Sequence, residues 1–201
     1  MTGTTGRTRD PARKEHILAA AADLVARNGF TAVSMDDIGG AVGITASAIY
    51  RHYDSKLAML VAMFDRVIDR LLSDGQRIAA DTEAGAQAGP EQALRLLIDG
   101  QIGFVTDDRD VAQVYYREIA NLPAADQRRL RRKQRLYLEE WVHLVTELRP
   151  GFDDAAARSL VHAAIGTIQS VLQYSPSLPD DRLRGLLREA AFAVLTHTPE
   201  S

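Results

Sequence analysis

A segment near the N-terminus, residues 34–56, places polar and aromatic side chains on what the sequence predicts to be two very short helices. Ser34 is a good N-cap residue, and Val33 and Ile38 stand at the two positions of a hydrophobic staple, so a helix is predicted to begin directly after Ser34. Gly43 can adopt the left-handed conformation that ends a helix. The chain is therefore predicted to turn at this glycine.

The helix after this turn has the residues that could bind a partner. Thr45 is its predicted N-cap, and about two turns are predicted, to His52. The outward positions are small, polar or aromatic: Thr45, Ala46, Ser47, Tyr50, Arg51 and His52. A helix this short is not stable alone, and the major groove of B-DNA is a partner that fits such a surface. We interpret the segment as a DNA-binding helix-turn-helix; an ordinary helical hairpin is the alternative.

Longer amphipathic helices flank this motif. The first is predicted from about Pro11 to Asn28, with apolar positions on one face, and Gly29 ends it. After the motif, Asp54 or Ser55 caps a long helix with an apolar stripe from Leu57 to Leu72. Three helices and the start of a fourth are therefore predicted to close a small core.

The stretch RKEHILAAAADLVARNGFTAVSMDDIGGAVGITASAIYRHYDSK resembles the N-terminal domain of the TetR/AcrR family of one-component transcriptional regulators. The resemblance combines the helix-ending NGF, the short VSMDDIGGAVGI element, the AIYRHY stretch and the lysine that follows, Lys56. It covers about the first quarter of the chain and implies a fold of about nine helices. Gly39 and Gly40 stand where an alanine and a helix-forming residue are more usual, which predicts a loss of about 1 kcal/mol per glycine. Leu57 replaces the acidic residue that commonly follows this lysine.

Lys56 and the backbone N–H groups beside it are predicted to form an anion site at a helix N-terminus, suited to a DNA phosphate. Residues 1–56 carry a net charge of +1, and the chain as a whole carries −3, so the positive bias of this region is weak. Residues 1–10 form a Thr/Gly-rich arm with Arg7 and Arg9. Such an arm is either disordered or reaches the minor groove or a phosphate.

The composition favours a soluble, cytoplasmic protein. The chain has no cysteine, which excludes disulfides and thiolate metal sites. It shows no signal peptide and no apolar run of the ~20 residues that a membrane span requires, so no membrane association is expected.

Beyond residue 57 the pattern is helical throughout, which predicts an all-α protein. We expect a flexible arm at 1–10, a three-helix DNA-binding domain at 11–56 and a helical ligand-binding and dimerisation domain at 57–201. The last two predicted helices, at 153–174 and 180–195, have apolar stripes at three-to-four spacing. The family resemblance implies that these helices pair with their symmetry mates in a homodimer; the alternative is that the stripes only close the core of the monomer. A dimer would bind a near-palindromic operator in double-stranded DNA.

A regulatory small molecule is expected in the core of the C-terminal domain. Gly100 and Gly103 leave room inside the fifth predicted helix, and aromatic residues with polar tips are candidates for pocket walls. The candidate ligand-binding residues are Phe104, Tyr115, Tyr116, Trp141 and His143. Each of them could instead be an ordinary core or surface residue.

The basic run at 128–135, RRLRRKQR, opens the seventh predicted helix. It is a solvated face, a site for a phosphate-bearing effector such as an acyl-CoA, or a source of long-range attraction to DNA.

The five histidines are scattered and no HExxH, GxSxG or phosphate-loop motif is present, so no catalytic residues, metal site or cofactor are predicted. The sequence favours a regulator, more specifically a repressor released from DNA by an unidentified small-molecule effector. A DNA-binding regulator without a ligand and a helical enzyme are the alternatives.

Overall fold

The computed structural model describes residues 11–85 and 89–196, which form helices joined by turns. The helices are α1 Pro11–Asn28, α2 Met35–Ala41, α3 Ala46–Ile49, α4 Lys56–Glu83, α5 Pro90–Thr106, α6 Arg109–Glu118, α7 Ala124–Leu148, α8 Asp154–Gln169 and α9 Asp180–Thr196. Short 3₁₀ turns, Ile119–Asn121 and Ser170–Gln173, follow α6 and α8. For the described residues this confirms the all-α prediction with nine α-helices. The predicted arm at 1–10 lies outside them.

The chain divides into two compact units, and the division falls inside α4, between Met63 and Phe64. The predicted boundary at 56/57 lies at the beginning of the same helix and stays a prediction. Of the helices described, none is both long enough and apolar enough to cross a bilayer.

The core of the N-terminal unit takes apolar residues from all four of its helices, among them Ile17 and Ile38 from the predicted stripes and Met59, which lies outside them. Ile17 of α1, Ile38 of α2 and Ile49 of α3 are completely buried, and Met59 of α4 is nearly so. Val33 is also buried, which is consistent with a hydrophobic staple at the beginning of α2. The two short helices, α2 and α3, are therefore held by one or two large buried side chains each, because helices of seven and four residues are not stable alone.

Glycines set both turns of this unit. Gly29, after α1, has φ +83°, and Gly43, between α2 and α3, has φ +69°, so both predicted left-handed residues are confirmed. Gly39 lies inside α2, where a Cβ atom would stand 2.6 Å from the carbonyl oxygen of Ile44, whereas a Cβ atom on Gly40 would have no neighbour within 4 Å. The predicted helix-loosening cost therefore describes Gly40 but is wrong for Gly39, whose missing side chain lets α3 approach α2.

Helix α3 is shorter than predicted and ends at Ile49 instead of His52. The amide of His52 donates to the Ile49 carbonyl at 2.8 Å, and the amide of Tyr53 donates to the same oxygen at 3.0 Å. The chain thus tightens into a turn because Tyr53 must enter the core, where it is buried.

The side chain of Lys56, the first residue of α4, crosses to the connection between α1 and α2. Its ammonium group donates to the carbonyl oxygens of Phe30 and Val33 and lies 4.5 Å from the centroid of the Phe30 ring. These partners are 26 and 23 residues earlier in the chain. Lys56 therefore ties the beginning of α4 to the segment that leads into α2.

Helix α5 is the centre of the C-terminal unit and contacts α6, α7, α8 and α9. Eight of its residues are buried: Ala93, Leu94, Leu97, Ile98, Gln101, Ile102, Phe104 and Val105. Trp141 of α7 is fully buried in the same core and meets Tyr137 edge-on, with ring centroids 6.0 Å apart. The apolar stripes of α5 and α7 thus face each other in the interior.

Most of the apolar stripes on α8 and α9 close the core of the unit itself. Val161, Ala164, Ile165, Ile168 and Val171 are buried within one chain, as are Leu183, Leu187, Ala191 and Leu195 on the opposing helix. Among the predicted stripe residues, Leu186 and Ala190 stay exposed. The stripes on their own are therefore not evidence of a partner, and dimerisation through these helices stays a prediction.

Replacing Gly40 by alanine should stabilise the N-terminal unit by about 1 kcal/mol, because the methyl group enters open space and alanine favours the helix. Gly39→Ala should give no gain or a loss, since its methyl group meets backbone at Ile44. Urea unfolding followed by far-UV circular dichroism compares the two variants. Equal stabilisation by both would contradict the close approach at Gly39.

Replacing Lys56 by methionine should destabilise the N-terminal unit by about 1 to 3 kcal/mol, because two part-buried carbonyl oxygens lose their donor. Arg27→Met is the control, since Arg27 makes an exposed ion pair with Asp23 one helical turn away and should cost below about 0.5 kcal/mol. Chemical denaturation of the full chain measures both. Equal effects would mean that the Lys56 ammonium is not a structural tie.

Candidate nucleic-acid interface and effector cavity

A capping box fixes the beginning of α2. The amide of Asp37 donates to Ser34 Oγ at 3.1 Å, and the amide of Ser34 donates to the Asp37 carboxylate at 2.8 Å. Hydrogen bonds from the side chain and backbone of Ser34 hold the pKa of Asp37 below its ordinary value of 3.8. The cap is therefore at full strength above pH 3.8 and weakens as the pH falls through the lower value in the folded protein.

The turn into α3 is closed by backbone and side-chain hydrogen bonds. The amide of Ile44 donates to the Gly39 carbonyl at 2.9 Å. Thr45 caps α3 by accepting from the amide of Ala48 at 3.3 Å, and its hydroxyl also lies 2.9 Å from Ser47 Oγ. Thr45 and Ser47 are both exposed, so their two hydroxyl groups lie close together on the surface at the N-terminus of α3.

The predicted outward face of α3 divides into two groups. Thr45, Ser47, Tyr50 and Arg51 are exposed, whereas Ala46 and His52 are half-buried. Tyr50 is 51% exposed, which is unusual for so large a ring on a helix whose Ile49 is completely buried. Within the described parts of the chain, neither Tyr50 nor Arg51 has a hydrogen-bond or ion-pair partner. A phenol and a guanidinium group are thus presented to solvent beside two small hydroxyl side chains.

Lys56, the seventh predicted contact, is placed differently. Its ammonium group is already bound to two carbonyl oxygens, so at most one of its three N–H groups is left for a phosphate. Its contribution to a DNA interface is accordingly to position α4, with any phosphate contact added to that role.

The C-terminal unit contains a cavity of about 260 Å³ among α4, α5, α6, α7 and α8. The apolar part of its lining is formed by Val67, Ile68, Leu71, Phe104, Leu138, Ile165 and Gly166. The polar part consists of Gln101, Gln134, Gln169, Tyr115, Tyr116, Tyr137 and His162. No carboxylate, lysine or arginine lines it. Such a lining suits an uncharged body that accepts and donates a few hydrogen bonds.

Three of the five predicted ligand-binding residues line this cavity: Phe104, Tyr115 and Tyr116. Tyr115 packs edge-on against Phe64 with centroids 4.9 Å apart, and burial raises its pKa to about 12. Trp141 does not line it, because its ring is completely buried behind Tyr137. His143 is exposed and faces Glu83 and Glu147 at 3.8 and 3.6 Å instead. We therefore do not include Trp141 and His143 in the candidate site.

The amide side chains of the cavity were missed by sequence reasoning. Gln101 is 2% exposed and its Oε1 accepts from the Tyr137 hydroxyl at 3.3 Å. It occupies the position between Leu97 and Val105 on the apolar stripe of α5, where a polar residue is costly unless it has a partner. That interruption of the stripe was the available signal. Gln134 carries the same signal, because it stands between Leu130 and Leu138 on the buried face of α7, whereas Gln169 stands at the margin of the apolar face of α8.

The basic run on α7 separates into two faces. Arg129 pairs with Asp65 and Asp126, and Lys133 pairs with Asp65 at 2.8 Å and Asp69 at 2.6 Å. Although burial raises it, the hydrogen bonds from these two cations lower the pKa of the Asp65 carboxyl below its ordinary value. This face is therefore bound to α4.

The other face of the run consists of Arg128, Arg131, Arg132 and Arg135, which are all exposed and share one side of the helix at three-to-four spacing. We call these four residues the arginine stripe. Within the described chain they form no ion pair. Arg131 precedes the cavity residue Gln134 by one turn, and its charge acts on the Tyr115 hydroxyl, which also lines the cavity. The stripe therefore begins at the rim of the cavity.

The described residues contain no cluster of three or more histidines, aspartates or glutamates suited to a metal ion.

Two family models match the chain. Residues 17–63 match the model of the bacterial regulatory proteins of the tetR family, and residues 87–174 match the tetracyclin repressor-like C-terminal domain. Among curated proteins, the transcriptional activator FasR of Mycolicibacterium smegmatis is 30% identical over 96 residues, 48% of this chain and 42% of its own. The transcriptional repressor KstR2 of Rhodococcus jostii is 27% identical over 112 residues, 56% of this chain and 52% of its own. The chain thus spans about half the length of these relatives, or less.

Solved structures share the fold over nearly the whole chain. A TetR-family regulator from Bordetella parapertussis superposes with a TM-score of 0.77 at 21% identity, covering 93% of this chain and 95% of its own. AibR, solved with isovaleryl coenzyme A and operator DNA, gives 0.73 at 19% identity, covering 90% and 98%. FadR from Bacillus subtilis, solved with stearoyl-CoA, gives 0.69 at 18% identity, covering 90% and 97%.

The capped α2, the glycine-closed turn and the exposed α3 lie within the first matched segment, and most of the cavity-lining helices lie within the second. The chain belongs to the TetR family of transcriptional regulators.

Proposed function

We propose that this TetR-family regulator is a homodimeric repressor that binds a near-palindromic operator and is released when a small molecule enters the cavity of the C-terminal unit. The observation that carries the proposal is the course of α4. Its first residue, Lys56, is bound to the connection before α2, and its later residues Val67, Ile68 and Leu71 line the cavity. One continuous helix therefore belongs to both the DNA-binding unit and the ligand cavity.

The DNA interface is proposed to consist of α3 and the turn after it. Thr45 and Ser47 are short enough to let the helix approach the base edges and to hydrogen-bond there, and Ala46 offers a methyl group to a thymine methyl. Tyr50 and Arg51 are exposed and have no partner among the residues that the structure describes, which suits contacts to phosphate. His52 and Lys56, both half-buried, would add backbone contacts at the edge of the interface.

Dimerisation is proposed through the outward faces of α8 and α9. After the monomer's core is closed, Leu186 remains 54% exposed, and Ala163 of α8 and Ala190 of α9 are exposed as well. An exposed leucine and exposed small residues on these helices suit close packing against a second copy. A dimer of this kind would set two recognition helices about 34 Å apart, one turn of B-DNA.

The effector is proposed to be an acyl group carried by a phosphate-bearing cofactor, of the acyl-CoA class. The uncharged lining of the cavity suits the acyl body. Its volume of about 260 Å³ is at the small end for ligand pockets, so the carrier must remain outside. The arginine stripe begins at the rim and has no ion-pair partner in the described part of the chain, and guanidinium groups bind phosphate well. AibR and FadR, which share the fold, were solved with coenzyme A thioesters.

A ligand can release DNA only by its differential affinity for two conformations of the protein. A coupling of about 1 to 3 kcal/mol would lower operator affinity by roughly 5- to 150-fold. The cavity residues of α4 are the contacts through which the effector would favour one position of this helix.

Removing the charge of Arg51 should weaken binding to all DNA sequences and make the salt dependence of binding shallower by about one unit, because one phosphate contact is lost. The DNA is an operator selected by the protein from a random-sequence pool, with an unrelated duplex for comparison. Arg51→Gln is compared with Arg77→Gln, which removes an exposed charge from the C-terminal part of α4, outside both the proposed DNA interface and the proposed dimer surface. An unchanged slope for Arg51→Gln, or selection of DNA without inverted symmetry, would contradict the proposed interface.

Replacing Arg131 by glutamine should weaken acyl-CoA binding about tenfold, because a charge-assisted hydrogen bond to phosphate is lost. Binding of the corresponding free fatty alcohol should not change. Arg27→Gln is the control, since Arg27 is an exposed arginine of α1 that belongs neither to the cavity lining nor to the arginine stripe. Isovaleryl-CoA and stearoyl-CoA are the probes, and quenching of Trp141, the single tryptophan, is the readout. Equal losses for the two variants would remove the specific rim contact.

A further inference from the structure

A second, larger groove of about 610 Å³ lies along α4 and α5 in the C-terminal unit. Its apolar surface is formed by Leu71, Ile78, Leu96, Leu97, Phe104 and Tyr137. Gly100 borders it, and a Cβ atom on Gly100 would have no neighbour within 4 Å, so open space begins directly at the α5 backbone.

The charged residues around the groove are already neutralised. Arg70 pairs with Asp108, Arg77 lies 3.7 Å from Asp74, and Asp107 is bound by Arg184 of α9. All five charged lining residues therefore have a partner. What the groove offers to a ligand is its apolar surface, not an unsatisfied charge.

Three side chains separate this groove from the effector cavity, because Leu71, Phe104 and Tyr137 line both. The Tyr137 ring lies against Gly75 of α4, where a Cβ atom would stand 3.2 Å from the ring. Its hydroxyl is held by the 3.3 Å hydrogen bond to Gln101. Leu71, Phe104 and Tyr137 therefore border both spaces, and side chains of this kind can change rotamer.

We propose that Leu71, Phe104 and Tyr137 form a movable partition, and that the groove is a second subsite for the distal part of a long, unbranched alkyl chain. The inference rests on the proposed function, since it assigns the effector cavity as the first subsite. A chain too long for 260 Å³ displaces the partition and continues along the apolar surface of the groove. Chains that fit the cavity leave the partition closed.

Straight-chain primary alcohols of about six to fourteen carbons are the probes, because they carry no charge and test chain length alone. Binding is followed by the fluorescence of Trp141, which packs on Tyr137 and so reports on the partition. In the wild-type protein, affinity should continue to rise, by up to about fourfold per added methylene, beyond the length that the cavity can hold.

Gly100→Leu places a side chain in the groove, where there is room for it. This variant should bind short alcohols like the wild type but lose the gain for long alcohols, tenfold or more at the longest chain. Gly100→Ala is the matched control and should behave like the wild type. Phe104→Ala should shift the preference towards longer chains.

An affinity that stops rising at the same chain length in wild type and Gly100→Leu would overturn the second subsite, and so would the absence of any alcohol binding. The proposed function is tested separately, by release of operator DNA with the acyl-CoA probes. Length-dependent binding of alcohols without release of DNA would contradict the effector role but support the second subsite. Release of DNA by acyl-CoA without length-dependent binding would support the effector role but contradict the second subsite.

Discussion

The ammonium group of Lys56 fixes where α4 begins, and the surface of α3 depends on that position. Helix α3 has only four residues and cannot hold itself in place. It is held by the burial of Ile49, by the close approach at Gly39 and by the turn that leads through Tyr53 into α4. Because Lys56 binds the carbonyl oxygens of Phe30 and Val33, the end of that turn is tied to the beginning of α2. Lys56, which the sequence predicts to be a DNA contact, thus stabilises the helix-turn-helix through hydrogen bonds within the protein.

On α7, the six cationic residues among positions 128–135 also form two groups with different partners. Arg129 and Lys133 lie on the side that faces α4 and share the carboxylate of Asp65. The arginine stripe lies on the other side and has no anionic partner among the described residues. Because an α-helix has 3.6 residues per turn, the two groups lie on different sides of α7. The basic run at 128–135 thus contributes both to packing against α4 and to an exposed surface.

Sequence patterns predicted the helices and the N-terminal motif well because caps, glycines and apolar spacing act locally. The roles of Ser34 as an N-cap, Gly43 as a helix-ending glycine and Ile49 as a buried residue can each be predicted from neighbours within a few residues. The sequence predicts that α3 extends to His52, but the helix ends at Ile49 because Tyr53 packs into the core. Such a tertiary contact cannot be predicted from local patterns. Gly39 was misjudged for the same reason, since the carbonyl oxygen that forbids its Cβ belongs to the next helix.

The cavity shows the opposite balance. Aromatic type alone selected Phe104, Tyr115 and Tyr116 but also Trp141 and His143, and only packing separates them. Trp141 lies one turn after Tyr137 on the same stripe of α7, yet only Tyr137 lines the cavity, because the Trp141 ring is completely buried in the core. The stripes of α8 and α9 likewise carried no information on whether they face the monomer's core or a second copy. Such residues need the three-dimensional arrangement before a role can be assigned.

The strength of the contacts between α4 and α7 bears on whether a small ligand can move α4. Asp65 is partly exposed, and ion pairs of this kind contribute about 0.2 to 1 kcal/mol each. The pairs from Asp65 and Asp69 to Arg129 and Lys133 therefore add up to a few kcal/mol at most. That sum is similar to the 1 to 3 kcal/mol by which effectors typically shift a regulator. Apolar packing along Val67, Ile68 and Leu71 contributes more, but it lies at the cavity wall, where the proposed effector would replace contacts instead of only breaking them. The ion pairs that hold α4 against α7 are therefore no stronger than the coupling energy that the proposed release from DNA requires.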